Sequence, residues 1–124
     1  MQRKFLKRIP ESSSNSLMDV VSEVESYGEF VPLCREVKII KNLESNIFEK
    51  KFKANVFIEY KIFKEAFITE VSIDKLNKKI IIQSNESPFN KLYSEWTFNQ
   101  VEKDCVVTFF VDVSFKSFVI EKVI

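Results

Sequence analysis

Few of the residue types that usually perform catalysis occur in this chain. It contains no histidine, one glycine and two cysteines among its 124 residues. The lack of histidine excludes Ser–His and Cys–His nucleophiles and histidine-ligated metals, and a single glycine excludes a glycine-rich phosphate loop. Two distant cysteines cannot complete a structural zinc site alone. Catalysis by Asp, Glu, Lys or Tyr stays open, but no spacing singles out such a pair, so we expect the carboxylates on solvated strands and loops.

The most informative segment is apolar rather than charged, and it is residues 88–98, PFNKLYSEWTF. In an extended chain, successive side chains point to opposite faces. Leu92, Ser94, Trp96 and Phe98 then share one face, while the other face carries Lys91, Tyr93, Glu95 and Thr97. The chemistry that such a face supports is contact with a large apolar partner, either a core or a ligand.

A second apolar face lies near the end of the chain. Every other position from 105 to 115 is apolar, and these positions are Cys105, Val107, Phe109, Val111, Val113 and Phe115. Six consecutive apolar positions on one face predict a strand packed against a core or a cavity. Asp112 falls on the opposite face, where we expect it to serve in local hydrogen bonding or charge balance.

The elements that must position these faces indicate an α+β fold. Residues 2–9 predict a first strand that ends at Pro10. A serine-rich run then offers a helix N-cap. Apolar residues follow at the i, i+3, i+4, i+7 spacing of an amphipathic helix of about three turns, and they are Leu17, Val20, Val21 and Val24. We expect Gly28 to end this helix as a left-handed C-cap, and residues 29–33 to form a turn at one end of the sheet.

From Cys34 onward the chain is predicted to form strands with one apolar and one wet face. Besides the strands that contain residues 88–98 and 105–115, we predict strands at residues 37–40, 48–58, 63–71 and 80–82. The polar run at residues 42–46 is expected to end the first of these strands and to separate it from the second.

Length and composition limit the number of domains and the cellular location that we expect for this protein. The length suits one domain, residues 1–124, and a net charge of +1 gives no reason to expect nucleic acid or an acidic substrate. No run approaches the roughly 20 apolar residues that span a bilayer. Residues 1–10 lack the apolar region of a secretory signal. Two cysteines without such a signal predict free thiols in a reducing cytoplasm.

The end of the chain predicts the start of a further helix. Ser117 can cap a helix that carries Phe118, Val119 and Ile120. The sequence stops after about eight residues, which is too short to cover a long sheet. If 124 residues is the natural length, we expect the sheet's inner face to be uncovered. The protein would then self-associate, borrow a helix from a partner or be a decaying gene product.

Three segments, in this order, resemble the coenzyme Q-binding proteins and their bacterial relatives, the RatA-type ribosome association toxins, within the START or polyketide cyclase superfamily. Residues 24–34, VESYGEFVPLC, are similar to that family's V-x-x-Y-x-x-F-L/V-P-x-C. Residues 88–98 are similar to P-F-x-x-L-x-x-x-W-x-F, and residues 107–115 to a final strand that contains an aspartate. With the first strand, the resemblance covers essentially the whole chain. Gly28 and Leu33 depart from it, since the family usually has proline and glycine there.

The resemblance implies a helix-grip fold: a long curved antiparallel sheet, two short N-terminal helices and a C-terminal helix, here truncated. It implies non-catalytic binding of ubiquinone or a related prenyl lipid, in support of respiratory electron transport or ubiquinone biosynthesis. No catalytic residue, no metal and no cofactor other than the bound quinone is expected. The residues assigned to the lipid cavity are Phe30, Val31 and Leu33 at its mouth, and Trp96, Phe98, Phe109, Val111, Val113 and Phe115 on the inner face. Plain core packing is the alternative for each of them.

The implied partners are the lipid and, transiently, a membrane surface or respiratory complex. The implied location is cytoplasmic, with peripheral contact at the inner membrane. Two other functions stay open. A RatA-type toxin would bind the large ribosomal subunit and block subunit association through basic surface residues, namely Arg3, Lys4, Lys7, Arg8, Lys50, Lys51 and Lys53. An enzyme, as in other branches of the superfamily, would need an ionisable cluster inside the cavity, and the predicted inner faces contain almost none.

Overall fold

The alternating segments form one antiparallel sheet in the computed structural model, which describes residues 1–116 apart from the side chain of Phe63. The described strands are β1 (Gln2–Ile9), β2 (Cys34–Ser45), β3 (Glu49–Tyr60), β4 (Phe63–Asp74), β5 (Lys79–Ser84), β6 (Phe89–Val101) and β7 (Asp104–Phe115). Their order in the sheet is β1-β7-β6-β5-β4-β3-β2. The strands from β2 to β7 are therefore consecutive neighbours, and β1 closes the other edge beside β7. The C-terminal helix predicted from Ser117 lies outside the described residues.

The register confirms the predicted faces of the last two strands. Trp96 pairs with Phe109, and Leu92 pairs with Val113. Paired residues of an antiparallel sheet share a face, so the two apolar faces form one surface, here called the inner face. Asp112 lies on the outer face as predicted. There it accepts hydrogen bonds from Lys91 Nζ at 2.8 Å and from Gln2 Nε2 at 3.3 Å.

The predicted break at residues 42–46 is wrong, because β2 continues to Ser45. Its pairing with β3 shifts register between Ile39 and Lys41 and again between Asn42 and Glu44. Such bulges let a strand keep its pairing while accommodating residues that disfavour regular structure.

The predicted three-turn helix is shorter, and the expected pair of helices is one α-helix and one 3-10 helix. Helix α1 (Ser14–Ser22) is capped by Ser13, whose hydroxyl accepts a hydrogen bond from the Ser16 amide at 3.4 Å. The 3-10 helix follows at Val24–Glu29.

Gly28 is not a left-handed cap, because its φ is not positive. It lies inside the 3-10 helix, and a Cβ at this position would be 2.4 Å from the carbonyl oxygen of Arg35. Glycine is thus needed for the close approach of this helix to β2. In the turn that follows the 3-10 helix, the left-handed residue is Leu33, with φ 69°.

The buried apolar residues form two clusters on the inner face. The first cluster lies under α1 and the 3-10 helix and contains Met18, Val24, Val37, Phe52, Ala54, Val71, Ile73, Ile80, Phe98 and Cys105. The second cluster, toward the opposite end of the sheet, contains Phe67, Phe89 and Val113. Cys34 and Cys105 are free thiols.

Candidate functional site

A cavity of about 200 Å³ lies between the two clusters. The 3-10 helix, the turn after it and the first residues of β2 form one wall, and the inner face of β3 to β6 forms the other. The lining residues are almost all apolar, and they are Val24, Tyr27, Val31, Pro32, Cys34, Val37, Ala54, Val56, Ile58, Phe67, Thr69, Val71, Ile82 and Leu92.

Small side chains in the middle of the sheet create the space. Ala54 pairs with Thr69, whereas the next inner-face position of β3 toward α1 is Phe52, paired with Val71. Ser94 pairs with Ile82 in the neighbouring strands. Because large residues lie on both sides of these small ones, the 3-10 helix spans a depression here, although its first residue, Val24, packs into the first cluster.

The hydroxyl groups of this region already donate hydrogen bonds to the protein backbone. Thr69 Oγ1 donates to the Ala54 carbonyl at 3.1 Å, and Ser94 Oγ donates to the Ile82 carbonyl at 3.0 Å. Tyr27 Oη donates to the Val21 carbonyl at 2.5 Å. Among the described residues, every buried side-chain nitrogen and oxygen has a hydrogen-bond partner. The cavity therefore offers a ligand mainly apolar contact.

The two titratable groups of the lining stay neutral near physiological pH. Burial, assisted by the nearby Cys34, raises the pKa of the Tyr27 phenol. Burial also raises the pKa of the Cys34 thiol. Both groups thus lose rather than gain the tendency to ionise that a general base or a thiolate nucleophile requires. Within residues 1–116, no group of three or more Cys, Asp or Glu side chains is placed to hold a metal ion.

The cavity continues into the second cluster. Phe67 belongs to both, and three further lining residues pack against the cluster, namely Val56, Ile58 and Leu92. Aromatic contacts extend this surface, since Phe67 meets Phe89 edge to face at 4.8 Å and Phe89 lies 5.1 Å from Phe115, centroid to centroid. An apolar ligand longer than the cavity would find further apolar surface in this direction.

The three residues predicted at the mouth differ in position. Val31 lines the cavity together with Pro32. Phe30 and Leu33 point outward and are 57% and 37% exposed, beside the opening rather than in it. The turn is held by the Glu59 amide, which donates to the Leu33 carbonyl at 3.0 Å.

The six residues predicted on the inner face fall into two groups. Val111, Val113 and Phe115 lie in or against the second cluster, next to the cavity. Phe98 is buried in the first cluster, and Trp96 packs there at 4.5 Å from Phe109, between ring centroids. Phe98 and Trp96 thus pack in the first cluster, Phe109 packs against Trp96, and the cavity is lined by other residues.

The predicted site residues include few of the lining residues, of which six come from β3 and β4 and six from the 3-10 helix, the turn after it and the start of β2. The alternation of β3 and β4 already predicts Ala54, Val56, Phe67 and Thr69 on one face. The signal that could have located the cavity is the set of small residues among large ones on that face. The position of the 3-10 helix above them was the missing information.

The chain belongs to the polyketide cyclase / dehydrase and lipid transport family, whose model matches residues 11–124. The fold and the apolar cavity agree with that class of protein, as a START-like scaffold with a site for a hydrophobic ligand. Within residues 1–116, no helix has the length and apolar character to cross a membrane.

The chain is similar to two kinds of protein, a coenzyme Q-binding protein and two bacterial toxins. The chain is 31% identical over 87 residues to the mitochondrial coenzyme Q-binding protein COQ10 of Dictyostelium discoideum, which is 69% of this chain and 40% of that protein. It is 26% identical to the persistence and stress-resistance toxin PasT and 24% identical to the ribosome association toxin RatA, both of Escherichia coli, over 88% of this chain and 66% of each toxin. The chain thus spans less than two thirds of the length of these relatives.

Solved structures show the same fold at low identity. An 18 kDa protein of Caulobacter crescentus matches with a TM-score of 0.78 at 22% identity, over 98% of this chain and 80% of that one. A START superfamily protein of Mycobacterium smegmatis matches with a TM-score of 0.77 at 15% identity, over 98% and 85%. A Streptomyces aromatase/cyclase shares the fold, with a TM-score of 0.65 at 13% identity over 94% and 72%. The fold therefore occurs in at least one protein named as an enzyme, and it does not decide between binding and catalysis.

Proposed function

We propose that this chain binds ubiquinone or a related prenyl lipid in the cavity without transforming it, in support of respiration or ubiquinone biosynthesis. The observation that carries the proposal is the lining: it is apolar, its hydroxyls are bonded to backbone carbonyls, and its phenol and thiol are held neutral. A neutral hydrocarbon chain suits such a site, whereas a charged substrate would be desolvated there without a partner. The description of the Dictyostelium relative as a coenzyme Q-binding protein supports the choice of ligand.

The size of the cavity supports binding of part of a long lipid. At about 200 Å³ it exceeds the ~150 Å³ that holds a benzene ring in a dry protein cavity, but it is below the ~300 Å³ typical of the smallest whole-ligand pockets. We infer that one end of the ligand binds in the cavity and that the next isoprene units contact the side chains of the second cluster. Each CH₂ buried contributes about 0.8 kcal/mol, so a few units suffice for micromolar binding before ordering costs.

The ribosome-directed alternative has less support from the geometry. Its basic residues lie on β1 and on β3, which are separated by four strands in the sheet. At about 4.8 Å per strand, this places the two groups about 24 Å apart along the sheet. Several of these residues also have acidic neighbours, for example Arg8, whose Nε lies 2.7 Å from Asp104 Oδ2, and Lys51, whose Nζ lies 3.3 Å from Glu49 Oε1.

The test uses neighbouring isoleucines of β5 that face opposite sides of the sheet. Ile82 lines the cavity, and Ile81 pairs with Ser72 and Glu95 on the outer face. Ile82→Phe fills part of the cavity and should displace about two CH₂ groups of ligand, which weakens ubiquinone binding about tenfold. Ile81→Phe makes the same chemical change outside the cavity and should leave binding unchanged.

The measurement is mass spectrometry of lipids extracted from each purified variant, followed by titration of the stripped proteins with a short-chain ubiquinone. Wild type that is recovered lipid-free and fails to bind in the titration would contradict the proposal. So would equal losses in the two variants, provided that both keep the circular dichroism spectrum of wild type.

A further inference from the structure

Two neighbouring hairpins form a tip at the end of the sheet away from the cavity mouth. The β2–β3 hairpin and the β4–β5 hairpin are joined there by a hydrogen bond from the Lys75 amide to the Phe48 carbonyl, 2.8 Å long. We call residues 41–51 and 74–79 the basic tip. These residues include six lysines and three carboxylates.

Apolar side chains project from the basic tip into solvent. Ile47 is 77% exposed, Leu76 is 66% exposed and Phe48 is 49% exposed. Single exposed apolar residues are common on protein surfaces. Here four large ones, the fourth being Leu43 at 37% exposed, lie on two hairpins whose backbones are joined by a hydrogen bond, so they share one protrusion.

The positive charge of the basic tip is only partly neutralised by the protein. Within the described residues, Lys41, Lys50 and Lys75 take part in no ion pair. The carboxylate of Asp74 is occupied by its own turn, where it accepts hydrogen bonds from the Asn77 amide at 3.0 Å and from Asn77 Nδ2 at 2.8 Å.

The cavity-mouth end of the sheet provides an internal comparison. Residues 29–36 and 58–65 also expose apolar side chains, such as Ile62 at 88%. They contain three basic and four acidic residues, and Glu59 forms ion pairs with Arg35 and Lys64. Exposed apolar residues therefore occur at both ends, but an excess of positive charge occurs only at the basic tip.

We propose that the basic tip docks the protein on an anionic lipid bilayer, with Ile47, Phe48 and Leu76 inserted at the acyl boundary and the lysines against headgroup phosphates. Apolar residues flanked by lysines are the combination that binds such an interface, because burial and electrostatic attraction act together. A nucleic acid would use the lysines but would leave the aliphatic side chains without apolar contact. The bilayer is therefore the partner that uses both features.

This inference is independent of the proposed lipid cavity. From Phe48 to Ile58 the chain runs along β3 for ten residues, or about 33 Å. Docking by the basic tip therefore leaves the cavity mouth away from the bilayer. Failure of ubiquinone binding would not remove the reason for docking, and failure of docking would not remove the cavity.

The test compares two pairs of lysines with equal total charge. The variant Lys41→Gln/Lys75→Gln neutralises the basic tip, and Lys61→Gln/Lys64→Gln neutralises the same number of charges at the mouth end. Each is measured by co-sedimentation with vesicles of phosphatidylcholine alone or of phosphatidylcholine mixed with phosphatidylglycerol. We expect wild type to bind the mixed vesicles, with about fivefold weaker partitioning for each lysine removed from the basic tip. The mouth-end variant should partition like wild type.

A second pair of variants tests insertion. Ile47→Ser/Leu76→Ser should weaken partitioning about tenfold or more, and Ile62→Ser should not, although Ile62 is the more exposed residue. Equal effects at the two ends would overturn the proposal, since net charge or nonspecific hydrophobic adsorption would then explain binding. Absence of wild-type binding to mixed vesicles would also overturn it, as would binding to a single-stranded RNA without binding to vesicles.

Discussion

The two clusters of the inner face use the same strands and the same alternation, yet they are packed differently. In the first cluster, α1 and the 3-10 helix lie over the sheet, and Phe52, Ile80 and Cys105 are at most 1% exposed. In the second cluster, three buried residues are surrounded by half-buried ones, among them Val111 and Phe115. The cavity lies where the first arrangement changes into the second.

The difference shows that an apolar inner face can serve two purposes. Residues under the helices contribute mainly to stability, since they are removed from water whether or not a ligand is bound. Residues at the cavity and in the second cluster retain surface that a ligand can still bury. Stability and ligand binding should therefore respond to different substitutions.

The largest expected effect is on the first cluster. Phe52→Ala should lower the free energy of unfolding by about 3–5 kcal/mol, because a fully buried ring leaves a cavity that its neighbours cannot refill. Phe115→Ala, in the second cluster, should cost about 1–2 kcal/mol, because part of that ring is already in contact with water. Urea unfolding of both variants measures the two values, and equal losses would show that the clusters are equally packed.

A smaller loss of stability is expected at the contact between the 3-10 helix and β2, which covers the cavity. Gly28→Ala should destabilise the protein by about 1–3 kcal/mol, since the new Cβ would lie 2.4 Å from the Arg35 carbonyl oxygen. Thermal unfolding measures this loss. Glu29→Ala, one position further on, is the matched control and should change the midpoint little. If Gly28→Ala is tolerated without loss, the helix does not pack against β2 as closely as described.

Sequence predicted the faces well, because period-two alternation is a local property of the chain. The placement of Leu92, Ser94, Trp96 and Phe98 on one face follows from spacing alone. Distances between elements are not local, and the interpretation of Gly28, which depended on one, was wrong. Gly28 was interpreted as a cap because glycine usually serves that purpose, whereas its role here is set by a β2 carbonyl seven residues away.

The cavity illustrates the same limit. Its small residues, Ala54 and Thr69, are visible in the sequence, but their pairing is a property of the β3–β4 register. The distance between the 3-10 helix and these residues depends on tertiary packing, which the spacing of residue types in the sequence does not reveal. The extension of β2 through residues 42–45 likewise depends on pairing with β3, which overrides the weak strand propensity of asparagine and serine.

The smallest expected effect concerns the outer side of the strands that carry the second cluster. Asp112 binds Lys91 of β6 and Gln2 of β1. The hydrogen bond from Lys91 is the main cause that holds the pKa of this carboxyl below its usual value. A carboxyl with a lowered folded-state pKa stabilises the fold above its unfolded pKa, and this stabilisation is lost as the pH falls through the folded pKa.

Asp112→Asn should therefore be slightly less stable than wild type at neutral pH, and the gap should close from about pH 5 downward. Urea midpoints of the two proteins across this range measure the effect. Lys91→Gln removes the other partner of the pair, so its difference in stability from wild type should also shrink as the pH falls. Lys38→Gln, on edge strand β2, should show no such pH dependence. Since the outer face has no role in the cavity, ubiquinone binding by Asp112→Asn should match wild type at neutral pH. A loss of binding would mean that the two faces of β7 are coupled, and that the second cluster depends on the ion pair behind it.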